Sequence, residues 1–228
     1  MATVPTLVLP GLDGSTHMMA RFCEVAPPTH DVTPLELPPH LTSYASLVDH
    51  FDHRFSEARD ALVIAESFSG PLAVMLAARH PGSIGAVVLA ASFVTSPMPR
   101  VAKWFPWDLM LRAPLPSFAA RRNMVGRDAT DEQVQTLRSA VRAVPVRTLS
   151  GRVRQMIDAD AADELRELTC PIVYLRARHE RLIPRRCVDA IRHASPGAVV
   201  REIDGPHLLL ETRPEAVWRS LIDSLSAA

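Results

Sequence analysis

Neither sign of charge is in excess in this sequence. Lys and Arg number 25, Asp and Glu number 25, and the formal net charge is zero with His neutral. A generic nucleic-acid-binding protein usually carries a basic excess, and a self-repelling disordered chain carries an excess of one sign. Both classes are therefore disfavoured, and no nucleic-acid partner is predicted. With 47% hydrophobic residues over 228 positions, one globular domain with a sizeable core is expected.

Cysteine is scarce, and its three copies lie far apart. Cys23, Cys170 and Cys187 are odd in number and form no C-x-x-C motif. This pattern argues against a disulfide framework and against a zinc site. The histidines show no ligand spacing that favours a metal site either. We therefore predict free thiols, a reducing cytoplasmic location, and no metal or cofactor.

Long hydrophobic runs are also missing. No apolar stretch approaches the roughly 18 residues that would suggest a membrane span. The first residues carry no basic segment, and Pro5 and Pro10 interrupt the only early apolar run. We therefore expect neither a membrane span nor a signal peptide. Lysine is nearly absent as well, because Lys103 is the only one and arginine supplies 24 of the 25 basic residues.

Short apolar runs of strand length alternate with segments of helical periodicity. The predicted strands are residues 6–9, 32–37, 61–65, 86–91, 172–177 and 199–203. The predicted helices include 44–59, capped by Ser43, together with 71–80 and 213–225. Strands separated by helices pair in parallel through right-handed crossovers. The sequence therefore predicts an α/β fold with an open, doubly wound and mostly parallel sheet.

The alternation stops between residues 92 and 159, where no convincing strand is present. This stretch begins rich in proline and then becomes helical, with Thr130 and Gln133 spaced as a capping box. We interpret 92–159 as a helical cap insertion over the sheet, within a core formed by 1–91 and 160–228. Few strong apolar faces are expected in the cap, so it is not predicted to fold separately.

A candidate nucleophile lies where a buried strand gives way to a buried helix. Ser67 stands in the segment A-E-S-F-S-G, and a serine at such a sharp turn projects its hydroxyl from the carboxyl edge of the sheet. The backbone N–H of Phe68 then faces a developing oxyanion. A second donor is the N–H of Leu12, in the bend L-P-G-L-D-G after the first strand. Each motif alone also fits an ordinary turn.

A candidate base and a candidate acid follow two later strands. His207 stands in G-P-H after the last predicted strand, where it would accept the Ser67 proton and return it to a leaving group. Glu180 stands in the loop after residues 172–177, where it would orient the His207 ring and stabilise its charged form. The alternative for His207 is a surface side chain in a turn.

Two other interpretations of the acid remain open. Glu180 is also compatible with a solvated side chain paired with Arg178 or Arg181. Asp204 is a competing acid, but it lies three residues from His207 in a tight turn, and is poorly placed to reach the far ring nitrogen.

Four candidate segments follow predicted strands in the order oxyanion loop, serine, acid and histidine. This is the chain order of the α/β-hydrolases. The chain resembles that superfamily over its whole length. More narrowly, L-P-G-L-D-G-S and E-S-F-S-G-P resemble a poorly characterised bacterial group with L-P-G-x-D-G-T/S and G-E-S-F-S-G-P motifs. R-H-E-R-L-I-P resembles the acid loop G-x-x-D-x-x-V-P, and G-P-H resembles the histidine loop. The resemblance implies a triad of Ser67, Glu180 and His207. Two departures are Ala65 at the first elbow glycine and Glu180 where Asp is more usual.

A serine nucleophile indicates acyl transfer through an acyl-enzyme. The dehalogenases and epoxide hydrolases of the superfamily that the chain resembles use Asp at the same turn, so those two activities are disfavoured. We predict a serine-dependent hydrolase of a small-molecule carboxylic ester or thioester. An acyltransferase on the same triad and a non-catalytic binding or signalling protein on the hydrolase fold remain alternatives.

The cap segment is basic. From Arg100 to Arg154 it holds eleven basic and four acidic residues, a local net charge of +7 that leaves −7 for the remainder. An arginine-rich surface beside an active site attracts anionic substrates. One hypothesis is therefore a preference for anionic acyl donors, such as an acyl-CoA, an acyl-carrier-protein thioester or a carboxylated ester. The alternative is a solvated helical surface.

An aromatic segment, Trp104 to Trp107, lies within the cap. It fits three roles: packing on the sheet, lining an acyl pocket, or contact with a membrane surface.

Overall fold

Six strands form one sheet in the computed structural model, which describes residues 3–226. The strands are β1 Val4–Leu9, β2 His30–Pro34, β3 Ala61–Glu66, β4 Ile84–Ala90, β5 Ile172–Ala177 and β6 Val199–Ile203. They lie in the order β2-β1-β3-β4-β5-β6, and each adjacent pair is parallel. The predicted α/β fold with a parallel, doubly wound sheet is confirmed. The winding reverses between β1 and β3, and ligands of such sheets bind beyond the strand ends at this point.

Helices and short helical turns connect the strands. The helices are α1 Ala20–Glu24, α2 Tyr44–Ser56, α3 Gly70–Arg79, α4 Trp107–Met110, α5 Ser117–Ala120, α6 Asp131–Ala143, α7 Val146–Asp158, α8 Ala162–Glu167, α9 Arg185–Ala194, α10 Leu209–Thr212 and α11 Pro214–Leu225. Three 3₁₀ turns cover His17–Met19, Ser67–Ser69 and Arg100–Trp104, and a π-helical turn covers Arg121–Val125. Within residues 3–226, no helix has both the length and the apolar character needed to cross a membrane.

Alternate residues of the central strands face opposite helical layers. In β3, Ala61, Val63 and Ala65 belong to the apolar core that includes α2, α3, α8 and α9, whereas Leu62 and Ile64 belong to the core that includes α1 and α11. A strand that is covered on both faces needs apolar residues at every position. The unbroken apolar sequence of β3 follows from this arrangement.

The largest difference from the predicted strands is in β2. The prediction placed it at 32–37, but residues 35–37 leave the sheet after Pro34. The N–H of Leu37 instead donates to the carbonyl oxygen of Gly14, at 2.9 Å. Leu35 and Leu37 are buried in the core, so their apolar character reflects a buried loop that packs beside the bend after β1.

The chain between β4 and β5 forms helices α4 to α8, and in the described residues it adds no strand to the sheet. Thr95 and Asp160 form an isolated antiparallel bridge, which brings the two ends of this insertion together. Thr130 caps α6 in the predicted capping box. Contrary to the expectation of few apolar faces, α6 buries an apolar side in a small cluster that also contains Met18 and Leu208. The division into core 1–91 and 160–228 and cap 92–159 stays a prediction.

Candidate active site

The turn between β3 and α3 holds Ser67 in an unusual backbone conformation. Its φ of 51° lies in the left-handed region, which costs a non-glycine residue about 1–3 kcal/mol. Ser92, which follows β4, donates its hydroxyl to the carbonyl oxygen of Ser67 at 2.5 Å. A Cβ at Gly70 would lie 2.0 Å from the Ser92 Oγ and 2.6 Å from the Phe93 carbonyl oxygen, so this turn requires glycine there. The Ser67 hydroxyl is therefore held in one place by the turn and its neighbours.

His207 lies against the Ser67 hydroxyl. Its Nε2 is 2.9 Å from the Ser67 Oγ, and the histidine is 2% exposed. Its loop follows β6 and is joined to the loop after β5 by a hydrogen bond from the His179 N–H to the Gly205 carbonyl oxygen, at 3.1 Å. The structure therefore places the predicted base in contact with the predicted nucleophile.

Glu180 lies on the other side of the imidazole. Its Oε2 is 2.7 Å from the His207 Nδ1, and its side chain is 4% exposed. The Glu180 Oε1 accepts backbone N–H groups of three following residues, Arg181, Leu182 and Ile183, at 2.9, 2.7 and 3.1 Å. The β5 loop thus folds around its own carboxylate and fixes one oxygen, which leaves the other for His207.

The competing interpretations of the acid do not fit this geometry. Arg178 pairs with Glu202 at 2.9 Å, and Glu180 is buried instead of being solvated beside an arginine. Asp204 lies 3.1 Å from the His179 Nε2 and 67% of its side chain is exposed. Glu180, and not Asp204, is therefore the carboxylate in contact with His207.

Each member of the His207–Glu180 pair shifts the pKa of the other. Burial by itself lowers the pKa of His207, but the charge of Glu180 and its hydrogen bond outweigh burial and raise this pKa above its ordinary value. For Glu180, burial raises the pKa, but the charge and hydrogen bond of His207 and the backbone N–H groups bring it below its ordinary value. The site therefore favours a carboxylate next to an imidazole that readily takes up a proton.

The bend after β1 lies beside this group. Gly14 donates its N–H to the Gly11 carbonyl oxygen at 3.0 Å and has a φ of 78°, which favours glycine. The Ser69 hydroxyl donates to the Pro10 carbonyl oxygen and so ties this bend to the Ser67 turn. Leu12 stands in this bend and lines the same cavity as Ser67.

Phe68, the residue after Ser67, is fixed by an aromatic neighbour. Its ring stacks on Tyr44 with centroids 4.9 Å apart, and the Tyr44 hydroxyl donates to its carbonyl oxygen at 2.9 Å. The peptide that carries the Phe68 N–H is the one whose carbonyl oxygen, that of Ser67, accepts the Ser92 hydroxyl, so both sides of Phe68 are fixed.

Sequence reasoning missed Arg152, a fully buried arginine on α7. Its guanidinium donates to five backbone carbonyl oxygens, those of Leu12, Asp13, Leu37, Pro38 and Leu41, at 2.9–3.3 Å. Burial lowers its pKa to about 10, a value at which the group is still charged at neutral pH. The available signal was an arginine beside Val153 on the apolar side of a helix.

A second buried carboxyl group was also missed. Glu66 ends β3 next to Ser67, is 2% exposed, and accepts the Leu210 N–H at 3.0 Å. Burial raises its pKa to about 7. Burial also raises the pKa of Asp13 in the bend after β1. An acid at the end of an otherwise apolar strand was the signal for Glu66.

Ser67 and His207 open onto an apolar cavity of about 380 Å³, which we call the acyl cavity. The cap and the strand-end loops supply its apolar lining, which includes Leu12, Met18, Met98, Trp107, Met110, Leu115, Met124, Leu137, Val153, Met156, Leu182 and Leu208. Among the described residues, no Lys or Arg lines it, whereas Asp13 and Glu66 do. A serine hydroxyl, an imidazole and a carboxylate hydrogen-bonded in series at the edge of an apolar cavity form an arrangement suited to acyl transfer.

The aromatic segment of the cap is divided between two environments. Trp107 lines the acyl cavity, and its indole N–H donates to the Ala102 carbonyl oxygen at 2.8 Å. Trp104 is 91% exposed. The lining role therefore applies to Trp107 and not to Trp104.

The three cysteines are not among the residues that line the acyl cavity. Cys23 and Cys170 are partly buried free thiols and Cys187 is a buried one. In the part of the chain that the structure describes, no group of three or more His, Cys, Asp or Glu side chains is arranged to hold a metal ion.

Comparisons with known proteins agree with this architecture. A family model described as the alpha/beta hydrolase family matches residues 4–219. A bromoperoxidase from Bacillus anthracis is similar at 12% identity and a TM-score of 0.80, over 99% of this chain and 92% of that one. The enol-lactonase from Burkholderia xenovorans LB400 is similar at 19% identity and a TM-score of 0.78, over 99% of this chain and 92% of that one. A thermophilic esterase from Thermogutta terrifontis is similar at 16% identity and a TM-score of 0.75, over 99% of this chain and 90% of that one. No curated protein matches in sequence, and the structural likenesses show a common fold.

Proposed function

The chain belongs to the alpha/beta hydrolase family, and we propose that it is a serine-dependent hydrolase of a small-molecule carboxylic ester or thioester. One observation carries the proposal. A hydrogen-bonded series runs from the Ser67 Oγ through both ring nitrogens of His207 to Glu180, and it opens onto the apolar acyl cavity. This series supports the predicted roles of nucleophile, base and orienting acid for the three residues.

In the first half-reaction, the Ser67 Oγ attacks the substrate carbonyl carbon while the His207 Nε2 takes the hydroxyl proton. The developing oxyanion accepts hydrogen bonds from the backbone N–H groups of Leu12 and Phe68. Glu180 stabilises the imidazolium that forms. His207 then gives its proton to the leaving oxygen or sulfur, the bond from carbonyl carbon to leaving group breaks, and an acyl-Ser67 ester remains.

In the second half-reaction, water takes the place of the leaving group. The His207 Nε2 accepts a proton from this water, whose oxygen attacks the acyl-Ser67 carbonyl carbon. The tetrahedral intermediate collapses, the proton returns to the Ser67 Oγ, and a carboxylic acid leaves. The raised pKa of His207 suits its role as base in both halves.

The cavity points to an apolar acyl group. Its lining is dominated by apolar side chains, and its charged members are the acids Asp13 and Glu66. A carboxylated acyl chain would lie beside two buried acids and would find no Lys or Arg among the described lining residues. We therefore narrow the hypothesis of anionic acyl donors, and propose that any negative charge on the substrate belongs to its leaving group.

Three further expectations stay with this proposal. We expect a cytoplasmic location, because a reducing compartment would keep the three free thiols unpaired. CoA and an acyl carrier protein are candidate carriers of the thioester. The resemblance of the L-P-G-L-D-G-S and E-S-F-S-G-P motifs to one bacterial group stays a prediction.

A direct experiment combines covalent labelling with turnover. A fluorophosphonate probe should label the wild-type protein, and a 4-nitrophenyl ester panel graded by acyl length should be hydrolysed. Ser67→Ala should abolish both. The matched control is Ser56→Ala, because the Ser56 hydroxyl is exposed and bonds only to the His53 carbonyl oxygen at 2.8 Å; this variant should behave as the wild type.

The alternatives give different results. Folded wild-type protein that neither reacts with the probe nor hydrolyses any ester would support a non-catalytic binding protein. Acyl transfer to an added alcohol in preference to water, measured by product analysis, would support an acyltransferase.

A further inference from the structure

A second cavity, of about 430 Å³, lies beside the acyl cavity and has a different lining. Its charged and titratable lining consists of four arginines, one histidine and two aspartates: Arg122, Arg127, Arg181, Arg213, His179, Asp128 and Asp204. Because arginines outnumber aspartates, we call it the basic cavity. The acyl cavity is apolar, so the two differ in the chemistry they offer to a ligand.

Three of these arginines lack an acidic partner. Arg213 is 2.7 Å from Asp128, so a carboxylate already compensates its charge. Within residues 3–226, no carboxylate lies within 4.0 Å of the guanidinium groups of Arg122, Arg127 or Arg181. The two aspartates of the lining are paired with other side chains, Asp128 with Arg213 and Asp204 with His179 at 3.1 Å. The three remaining arginines repel each other unless a further anion lies among them. The basic cavity is therefore arranged to attract a ligand with more than one negative charge.

The two cavities are built from the same chain segments. Arg122 lines the basic cavity and its neighbour Asn123 lines the acyl cavity. In the same way, Arg181 lines the basic cavity and Leu182 lines the acyl cavity. Pro206 and His207 are divided between the two cavities in the same order. The loops that carry Arg181 and Pro206 therefore line both cavities, and a ligand group in the basic cavity lies next to the loop that carries His207.

The basic cavity adjoins the loop of His207, because Pro206 lines it, and this neighbourhood indicates which part of the substrate reaches it. His207 would protonate the leaving group, so that group departs on the His207 side of Ser67. The acyl group would instead occupy the apolar cavity under the cap. A charged group in the basic cavity is therefore part of the leaving group.

We propose, on the basis of the hydrolase function above, that the basic cavity binds a phosphate monoester carried by the leaving group, close to the scissile bond. A phosphate monoester has nearly two negative charges and three acceptor oxygens, which match several guanidinium groups better than a single carboxylate does. The substrate class is an ester of an apolar acid with a short phosphorylated alcohol.

Binding is tested without catalysis by titrating glycerol 3-phosphate into the full-length Ser67→Ala protein in a calorimeter. Saturable binding is expected, with glycerol giving none. Arg122→Gln/Arg127→Gln in the Ser67→Ala background should weaken binding at least about tenfold, since two charge-assisted hydrogen-bond donors are removed. Arg147→Gln is the control, because Arg147 is an exposed cap arginine outside both cavities. Absence of glycerol 3-phosphate binding would overturn the inference, whatever the outcome for ester hydrolysis.

Turnover gives a second test. The ratio of kcat/KM for 1-butanoylglycerol 3-phosphate to that for 1-butanoylglycerol should exceed one in the wild type and fall at least about tenfold in Arg122→Gln/Arg127→Gln. An equal fall in Arg147→Gln would show that a diffuse positive field acts instead of a site, and would contradict the proposal. A preference for butanoyl-CoA over both glycerol esters would also contradict it, because the long pantetheine arm separates the thioester from the phosphates of CoA.

Discussion

The guanidinium of Arg152 donates a hydrogen bond to the carbonyl oxygen of Leu12 at 2.9 Å, across 140 positions of the chain. One partner is buried in a helix of the insertion, and the other is in the bend after the first strand. The same guanidinium reaches Asp13 in that bend and the loop at Leu37 to Leu41. Through Arg152, the insertion holds the carbonyl group of Leu12, the residue whose N–H we assign to the oxyanion.

Arg152→Met should therefore affect both stability and turnover. Five carbonyl oxygens lose their donor, and we expect the free energy of unfolding to fall by about 2–4 kcal/mol. Since the bend that carries the Leu12 N–H loses its support at the Leu12 and Asp13 carbonyl oxygens, kcat should fall more than KM rises. Urea unfolding and ester kinetics measure the two effects. Arg147→Met, at an exposed position on the same helix, should change neither. Equal stability of Arg152→Met and wild type would contradict this role.

Glu180→Gln should reduce kcat by about 10³–10⁴-fold, through the tautomer of His207. Three backbone N–H groups surround the Oε1 position, so the glutamine oxygen should stay there and its NH₂ group should face the His207 Nδ1. An NH₂ group at this place favours the tautomer with the proton on Nε2, which cannot accept the Ser67 proton.

The pH profile separates this effect from misfolding. His207 must be neutral to act as base, and its raised pKa places the acid limb of kcat/KM above the ordinary histidine value of 6.5. Loss of the Glu180 charge should move that limb to lower pH. Glu180→Asp should retain the wild-type position of the limb with a reduced rate. A Glu180→Gln enzyme with an unshifted limb would count against the ion pair as the cause of the raised pKa.

Glu66→Gln should stabilise the folded protein at neutral and alkaline pH. The pKa of Glu66 is about 7 in the folded protein, and its ordinary value is 4.5. Between these two pH values Glu66 ionises in the unfolded chain but not in the folded protein. The free energy of unfolding therefore falls as the pH rises. Above pH 7 the free energy of unfolding has lost its full contribution from Glu66, which is about 3 kcal/mol. Glutamine can still accept the Leu210 N–H and carries no such cost.

Thermal unfolding at pH 5 and pH 8 measures the difference. We expect the Tm gain of Glu66→Gln over the wild type to be larger at pH 8. Glu36→Gln is the matched control, since Glu36 is exposed and has no ion pair among the described residues. A gain that does not depend on pH would rule out the buried charge as its origin.

Gly70→Ala should disturb the nucleophile through a single methyl group. Its Cβ would overlap the Ser92 Oγ, which holds the Ser67 carbonyl oxygen. We expect the free energy of unfolding to fall by about 1–3 kcal/mol and kcat to fall with it. Gly197→Ala is the control, because a Cβ there meets no atom within 4 Å. Denaturant unfolding and ester hydrolysis that are the same for both variants would contradict the close-contact explanation.

The sequence predicts those features that depend on local pattern. The unbroken apolar strand before Ser67 and the turn residues after it indicate a buried parallel strand and a sharp turn, and the structure contains both. Arg152 could not be predicted, because backbone carbonyls are its acceptors and leave no trace in residue types. The end of β2 was misplaced for a related reason, since Leu35 and Leu37 pack in the same core as the strands although they follow the end of β2. Contacts between distant loops decide such positions.

The bridge between Thr95 and Asp160 makes the insertion replaceable as a unit. Because its two ends leave and rejoin the core side by side, the intervening residues can change in length and sequence while every pairing of the sheet is retained. Ser67, Glu180 and His207 all lie outside this segment, whereas much of the lining of the acyl cavity lies inside it. Changes in the insertion can therefore alter substrate preference and leave Ser67, Glu180 and His207 in place, provided that the contact of Arg152 with the bend after β1 is kept.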